Sequence, residues 1–382
     1  MNISVYLNSS YGKPGNIGFR VPEIVYALEG AGHNVTVVAR ANYSRDKVFV
    51  FYGYEFFGRA LNAVRLYLFA FDHRWLDSSF FEVFSFIHLV LSSYSNHSPD
   101  CILCFEYMPS LIRYARRKSI IALTDVPISP ESSRCVSKTT DKLTNQKTMM
   151  REISSFSSSD LIVVPSPLIL EQVKNFSNSS IHCLRYTCQP KNLLEHDSYH
   201  ASLNRRSSLL SSSTINYVFV GNISKRKGAH LLIDVWPNFL ADNPHLICNL
   251  HLVGRQTDVL LSHMKLPNIF VHGFVDPLPI LLSSHFFILP SNSEGYPKAL
   301  VEALNCGCIP IVTRETGYDF STASESILIE DRSIKALLLS LNKSIQALDK
   351  WEADSIMIRK CELSRPSYAQ SYQQLFSSGF YA

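Results

Sequence analysis

Two successive series of short apolar runs, each run followed by a helical pattern, dominate this 382-residue sequence and limit what it can fold into. In the first series, "NISVYLNSS" reads as a strand and is followed by the glycine-punctuated "YGKPGNIGFR". A helix then runs from about Val21 to Leu28, closed by Gly30 and Gly32, before the strand "NVTVVAR". The pattern recurs as strand "DCILCF", helix "PSLIRYARRK", strands "SIIALT" and "DLIVVPS", and helix "PLILEQVKNF". Strands that alternate with helices predict a parallel sheet covered on both faces.

Near Glu195 the chain turns polar, and residues 196–213 read as an interdomain linker or long surface loop. A second series follows: strand "INYVFVG", helix "GAHLLIDVW" stopped near Pro237, strands "LICNLHLVG" and "NIFVHGF", short helix "PILLSS", and strand "FFILPS". The expectation is an α/β chain of two Rossmann-like domains facing each other across a cleft. These span residues 1–195 and 214–365, with a C-terminal helix over 366–382 packing back on the first. The length fits two domains, and 46% hydrophobic residues suffice for two cores.

Composition removes several classes. A net charge of +4 on this length does not argue for nucleic acid, but it tolerates anionic ligands or an anionic membrane surface. The odd count of nine cysteines, with Cys101, Cys104, Cys248 and Cys308 in or beside apolar runs, reads as reduced and buried. The start "MNISVYLNSS" lacks the basic and apolar regions of a signal peptide, so a cytoplasmic location is expected. The most apolar stretch, residues 79–95, is too short to span a bilayer and reads as a buried helix rather than a membrane-contacting one. Arg113, Arg116, Arg117 and Lys118 cluster in the first domain, where they can meet anionic lipid on the inner face of a membrane or form a solvated helix face.

Chemistry concentrates in "PSNSEGYPKALVEALNCGCIPIVT", residues 290–313. Glu302 sits among Ala299, Leu300, Val301, Ala303 and Leu304, a helix expected to pack on most sides, so its carboxylate needs donors. The candidates are a neighbouring Arg, backbone N–H groups, or a pair of ligand hydroxyls. Glu294 and Gly295 lie in the loop after the strand "FFILP", and Pro297 suits the first helical position. Backbone N–H groups from Lys298 onward then form an anion site at the helix start. "NISKRKG" leaves the preceding domain strand toward the same edge, so Lys225, Arg226 and Lys227 either meet that anion or form a solvated loop.

The blocks "FVGNISKRKGAHLLIDVW" and "LPSNSEGYPKALVEALNCGCIPIVT" resemble the retaining glycosyltransferases of the GT-B fold, in the large group often called family 4. The shared features are E-x7-E, E-G-[FY]-P and E-A-L-x-x-G, with "GHNVTVVAR" similar to the family's second strand. The resemblance implies that Glu294 contacts donor-sugar hydroxyls, that Glu302 holds the ribose of a nucleotide diphosphate-sugar, and that Lys227 binds the diphosphate. It also implies that the turn at Gly18 and Phe19 approaches the diphosphate, with Gly295, Tyr296 and Lys298 completing the donor loop and Gly273 and Phe274 near the base. Two departures stand out. Asn222 occupies a position where many relatives carry Arg, with Arg226 as the compensating charge. Thr124 and Asp125 stand where many carry a histidine, so Asp125 is read either as the group that orients or deprotonates an acceptor hydroxyl or as a turn or cap.

The expected activity is transfer of a sugar, of hexosyltransferase type, to an acceptor hydroxyl on a glycan, lipid-linked glycan or small molecule. No cofactor and no essential metal are expected. The alternatives are a sugar-nucleotide 2-epimerase on the same fold and a nucleotide-binding subunit without catalytic activity.

Overall fold

The computed structural model describes residues 1–11, 21–42, 49–50, 73–94, 98–105, 107–126, 142–185, 187, 214–257, 267–320 and 326–379. The chain forms two compact units. One joins Met1–Leu184 to Tyr368–Ala382, and the other is Arg185–Ser367.

The first unit carries β1 (Asn2–Tyr11), α1 (Val21–Gly30), β2 (Asn34–Asn42), β3 (Phe49–Val50), α2 (His73–Ser93), β4 (Cys101–Cys104) and α3 (Pro109–Arg117). It continues through β5 (Ile121–Asp125), α4 (Lys142–Ser158), β6 (Leu161–Val164), α5 (Pro167–Lys174) and β7 (Ser180–Cys183). Its sheet is parallel, in the order β3-β2-β1-β4-β5-β6-β7. The strands β4 and β6 are buried from end to end, which explains why they read as unbroken apolar runs rather than alternating ones. Cys101 and Cys104 are buried free thiols, both pushed up by burial.

The helix predicted over residues 79–95 forms as the second part of α2, but only one of its faces is buried. Glu82, Ser85 and Leu89 point inward, whereas Val83, Ile87 and Leu91 are exposed, as is Tyr94 just past the end. Glu82 is tolerated inside because Arg151 pairs with it at 2.8 Å and the backbone N–H of Ser110, in the first turn of α3, donates to it at 2.6 Å. A carboxylate at a helix N-terminus is favoured by the helix dipole.

The second unit carries β8 (Thr214–Val220), α6 (Ala229–Asp242), β9 (Ile247–Val253), β10 (Ile269–Gly273), α7 (Leu278–Leu282), β11 (Phe286–Leu289), α8 (Lys298–Asn305) and β12 (Ile309–Thr313). β13 (Ile327–Ile329), α9 (Ile334–Gln346) and α10 (Trp351–Leu363) complete it. Its sheet is also parallel, in the order β10-β9-β8-β11-β12-β13. Tyr217, Trp236, Phe239 and Phe286 form an aromatic centre with ring centroids 5.1–5.6 Å apart around Tyr217. α6 does not stop at Pro237 as expected. Burial of Leu232, Ile233, Val235, Trp236 and Phe239 on both sides of the proline outweighs the one backbone hydrogen bond it removes.

The final helix, α11 (Tyr368–Ser377), returns to the first unit and packs along α1. Phe376 meets His33 with ring centroids 5.7 Å apart.

Candidate functional site

In the second sheet the strand order reverses between β8 and β11, which are paired neighbours although four elements separate them in sequence. Ligands of doubly wound sheets collect at this switch point, beyond the carboxyl ends of the strands. The loop after β8, "GNISKRKG", and the loop after β11, "PSNSEGYP", both begin there.

These loops are fastened to each other backbone to backbone. Asn292 N–H donates to the carbonyl of Arg226 at 3.0 Å. Gly228 has φ +78°, and a Cβ there would stand 2.2 Å from the Pro290 carbonyl, so only glycine permits so close an approach. Arg332, from the turn after β13, donates Nε to Pro290 O at 3.0 Å and Nη2 to Lys225 O at 2.8 Å. One guanidinium thereby braces both loops, a role its fork of donors suits.

Inside this frame three charged side chains converge. Glu294 Oε1 accepts from Arg226 Nη1 at 2.8 Å and from Lys227 Nζ at 2.9 Å, with Ser291 Oγ at 3.3 Å. Arg226 also donates to the Ser293 carbonyl at 2.5 Å. Glu294 is buried, and a carboxylate in that position without partners would cost several kcal/mol. Gly221, at φ +142°, leaves the space across which Lys227 lies: a Cβ there would come within 3.1–3.3 Å of its terminal atoms. Two cations against one carboxylate leave the cluster net positive, as a site for an anion requires.

Glu302 departs from expectation. It is half-buried, its side chain 27% exposed, and pairs with Lys298 at 3.2 Å one turn earlier. The apolar neighbours Leu300, Val301, Ala303 and Leu304 are buried on the other faces of α8. Lys298 is exposed at the helix start, and Pro297 caps rather than opens the helix. Tyr296 is buried, its hydroxyl pushed well above the usual range by that burial and next by the Glu362 charge. Its side chain packs into the interior of the unit. Gly295 is buried beside it.

Asn222 is exposed at the turn after Gly221. Phe274 projects from the end of β10, 75% exposed, with the Arg255 guanidinium 4.6 Å from its ring centroid. Gly273 O accepts from Gly254 N at 2.7 Å, which aligns the ends of β9 and β10 beside the Gly221 turn. Gly18 and Phe19 lie outside the described residues.

Asp125 is read from sequence either as an acceptor-side group or as a turn or cap. It ends β5, is 1% exposed, and accepts hydrogen bonds from the hydroxyls of Tyr368 and Tyr372, each at 2.5 Å. A carboxylate held by two phenols anchors α11 to the end of β5, a structural role. Arg332 and Arg255 were not singled out by sequence. Arg332 braces the two loops through backbone carbonyls, which no residue pattern announces.

Residues 214–346 match the family described as glycosyl transferases group 1. Over 143 residues the chain is 27% identical to a phosphatidylinositol N-acetylglucosaminyltransferase component of Homo sapiens, a match that takes in 35% of this chain and only 29% of that protein's own length. Among solved structures, sucrose-phosphate synthase from Thermosynechococcus elongatus superposes with a TM-score of 0.64 at 15% identity, covering 99% of this chain and 100% of that one. WaaG, a glycosyltransferase involved in lipopolysaccharide biosynthesis, gives 0.66 at 13% identity over 98% and 100%. HepE from Anabaena, solved with UDP and glucose, gives 0.63 at 14% identity over 98% of each chain. The fold is that of the GT-B glycosyltransferases, and the segment that matches the group 1 family is the one that holds Arg226, Lys227, Glu294 and Glu302.

Proposed function

We propose that this protein is a retaining glycosyltransferase that moves a sugar, of hexose type, from a nucleotide diphosphate-sugar to an acceptor hydroxyl. The observation that carries the reading is the convergence of Arg226 and Lys227 on Glu294 between two loops at the switch point of the sheet. In this reading the diphosphate takes up hydrogen bonds from the two cations, which oppose the negative charge that grows as the leaving group departs. The start of α8 adds the positive end of its dipole. Glu294 is then released to accept from sugar hydroxyls, and Glu302, with its carboxylate half in solvent beside Lys298, accepts from the ribose. The exposed Phe274 with Arg255 offers a face for the base. Turnover is expected without a resident cofactor or added metal.

The names of two similar proteins, one citing phosphatidylinositol and one lipopolysaccharide biosynthesis, favour a lipid-linked acceptor. The test has two stages. Thermal stabilisation by UDP, GDP, ADP and their sugars identifies the donor, since a ligand at a hundredfold its Kd adds about 2.7 kcal/mol. Labelled donor is then supplied with lipid-linked and soluble acceptors. Label recovered on an acceptor supports the reading. An altered sugar nucleotide with no transfer identifies an epimerase, and nucleotide binding with neither product overturns catalysis altogether.

A further inference from the structure

We propose that the outer face of α2 and the end of α3 form the surface by which the first unit rests on a membrane containing anionic lipid. Val83, Ile87, Leu91 and Tyr94 follow one another at helical spacing and are 58%, 45%, 68% and 76% exposed. Between Val83 and Tyr94 there is no Asp, Glu, Lys or Arg. Single exposed apolar residues are ordinary, but a stripe three turns long with no charge in it is not. The core does not account for it, because α2 fills the core with its other face, through Ser85, Phe86 and Leu89.

The stripe ends against positive charge. Lys118 Nζ lies 5.1 Å from the centroid of the Tyr94 ring. Arg113, Arg116, Arg117 and Lys118 are all exposed on α3 and the turn after it. Arg113 donates to Ser154 Oγ at 3.1 Å, and Arg116 pairs with Asp160 at 3.1 Å, the acidic group that faces this cluster. Ser93 and Phe86 both meet Tyr114, so α2 and α3 present their ends as one surface. An apolar helix face bordered by basic and aromatic side chains is the chemistry of a helix lying in the plane of a bilayer interface, where the cations meet lipid phosphates and the aliphatic groups enter the acyl boundary.

Two other occupants fit less well. Twelve residues at about 1.5 Å each make a strip roughly 18 Å long and about 10 Å wide, well below the approximately 800 Å² per partner of a stable protein pair. Insertion across the bilayer is not available to α2, because among the described residues no helix is long and apolar enough to cross a membrane.

The experiment is flotation of the purified chain with phosphatidylcholine vesicles, with and without phosphatidylserine, at low and high salt. The wild type should float with the anionic vesicles and release at high salt. Ile87→Glu with Leu91→Glu should weaken binding about tenfold or more, and Arg117→Glu with Lys118→Glu should abolish the preference for anionic lipid. All four positions are exposed, so melting temperature should be unchanged. A wild type that stays with the soluble fraction under every condition overturns the inference, as does undiminished binding by the Ile87→Glu, Leu91→Glu variant. A concentration-dependent dimer that this variant dissolves, without vesicle binding, would assign the face to a second copy. Since flotation needs no turnover and no donor, its failure leaves the reading of the second unit untouched.

Discussion

Lys227 Nζ and Glu294 Oε1 stand 2.9 Å apart, both side chains 11% exposed. The cation that the family resemblance reserves for a diphosphate is already employed in holding a carboxylate. On the proposed reading, binding of a diphosphate is an exchange of partners, not the filling of an idle charge.

Lys227→Ala should lower both stability and turnover. It leaves Glu294 buried with Arg226 as its one cationic partner, a loss of about 1–3 kcal/mol, and it slows departure of the leaving group by on the order of 10²-fold. In Lys227→Ala with Glu294→Gln, the stability loss should fall short of the sum of the two single variants, because both remove the same interaction. Chemical denaturation of the three variants measures this, and strict additivity would mean the pair is not coupled.

Glu302→Gln should separate binding from folding. The pair with Lys298 is partly in solvent and runs Lys before Glu, the weaker order on a helix, so stability should change by less than about 0.5 kcal/mol. Nucleotide affinity should fall by about 1.5–3 kcal/mol if the carboxylate accepts from ribose hydroxyls. Calorimetric titration with the donor nucleotide decides, and unchanged affinity would take Glu302 out of the site.

Asp125→Asn should act on folding alone. Removing the charge that Tyr368 and Tyr372 share weakens two charge-assisted hydrogen bonds, a loss on the order of 1.5–3 kcal/mol, and exposes α11 to earlier proteolysis. At a temperature where the variant is folded, kcat should match the wild type. A fall of several decades in kcat with unchanged melting would return Asp125 to the chemistry.

Acid should destabilise the second unit in a window set by two histidines. His251 Nδ1 and His272 Nε2 are 2.9 Å apart, and burial first, then the neighbouring His272, pushes His251 down to about 4. Burial also lowers His272. A histidine whose folded-state value is depressed contributes stability that is complete above its unfolded value, near 6.5, and is lost as pH falls toward 4, because the unfolded chain takes up protons first. Melting temperature followed from pH 7 to 4 should drop, and His251→Gln should flatten the curve.

The alternation of strands and helices was legible because the hydrophobic period changes from one element to the next, and Glu294, Lys227 and Arg226 were singled out because the loops that carry them each follow a strand of the second series. The surroundings of Glu302 were not. Its sequence neighbours are apolar, but on a helix adjacent residues point about 100° apart, and the residue that shares its face is Lys298. For the same reason α2 reads as a core helix: periodicity reveals an apolar face but not whether anything covers it. Asp125 was out of reach for a different reason, since its partners lie 243 and 247 residues further along.

The return of α11 to the first unit has a consequence for synthesis. The second unit is one unbroken stretch, Arg185–Ser367, and can close as soon as it has left the ribosome. The first unit emerges earlier yet lacks Tyr368 and Tyr372, so the Asp125 carboxylate and the α11-facing side of α1 wait through the whole of that stretch, on the order of ten seconds or longer at about 5–20 residues per second. Of these two units, the one made first is thus the one completed later.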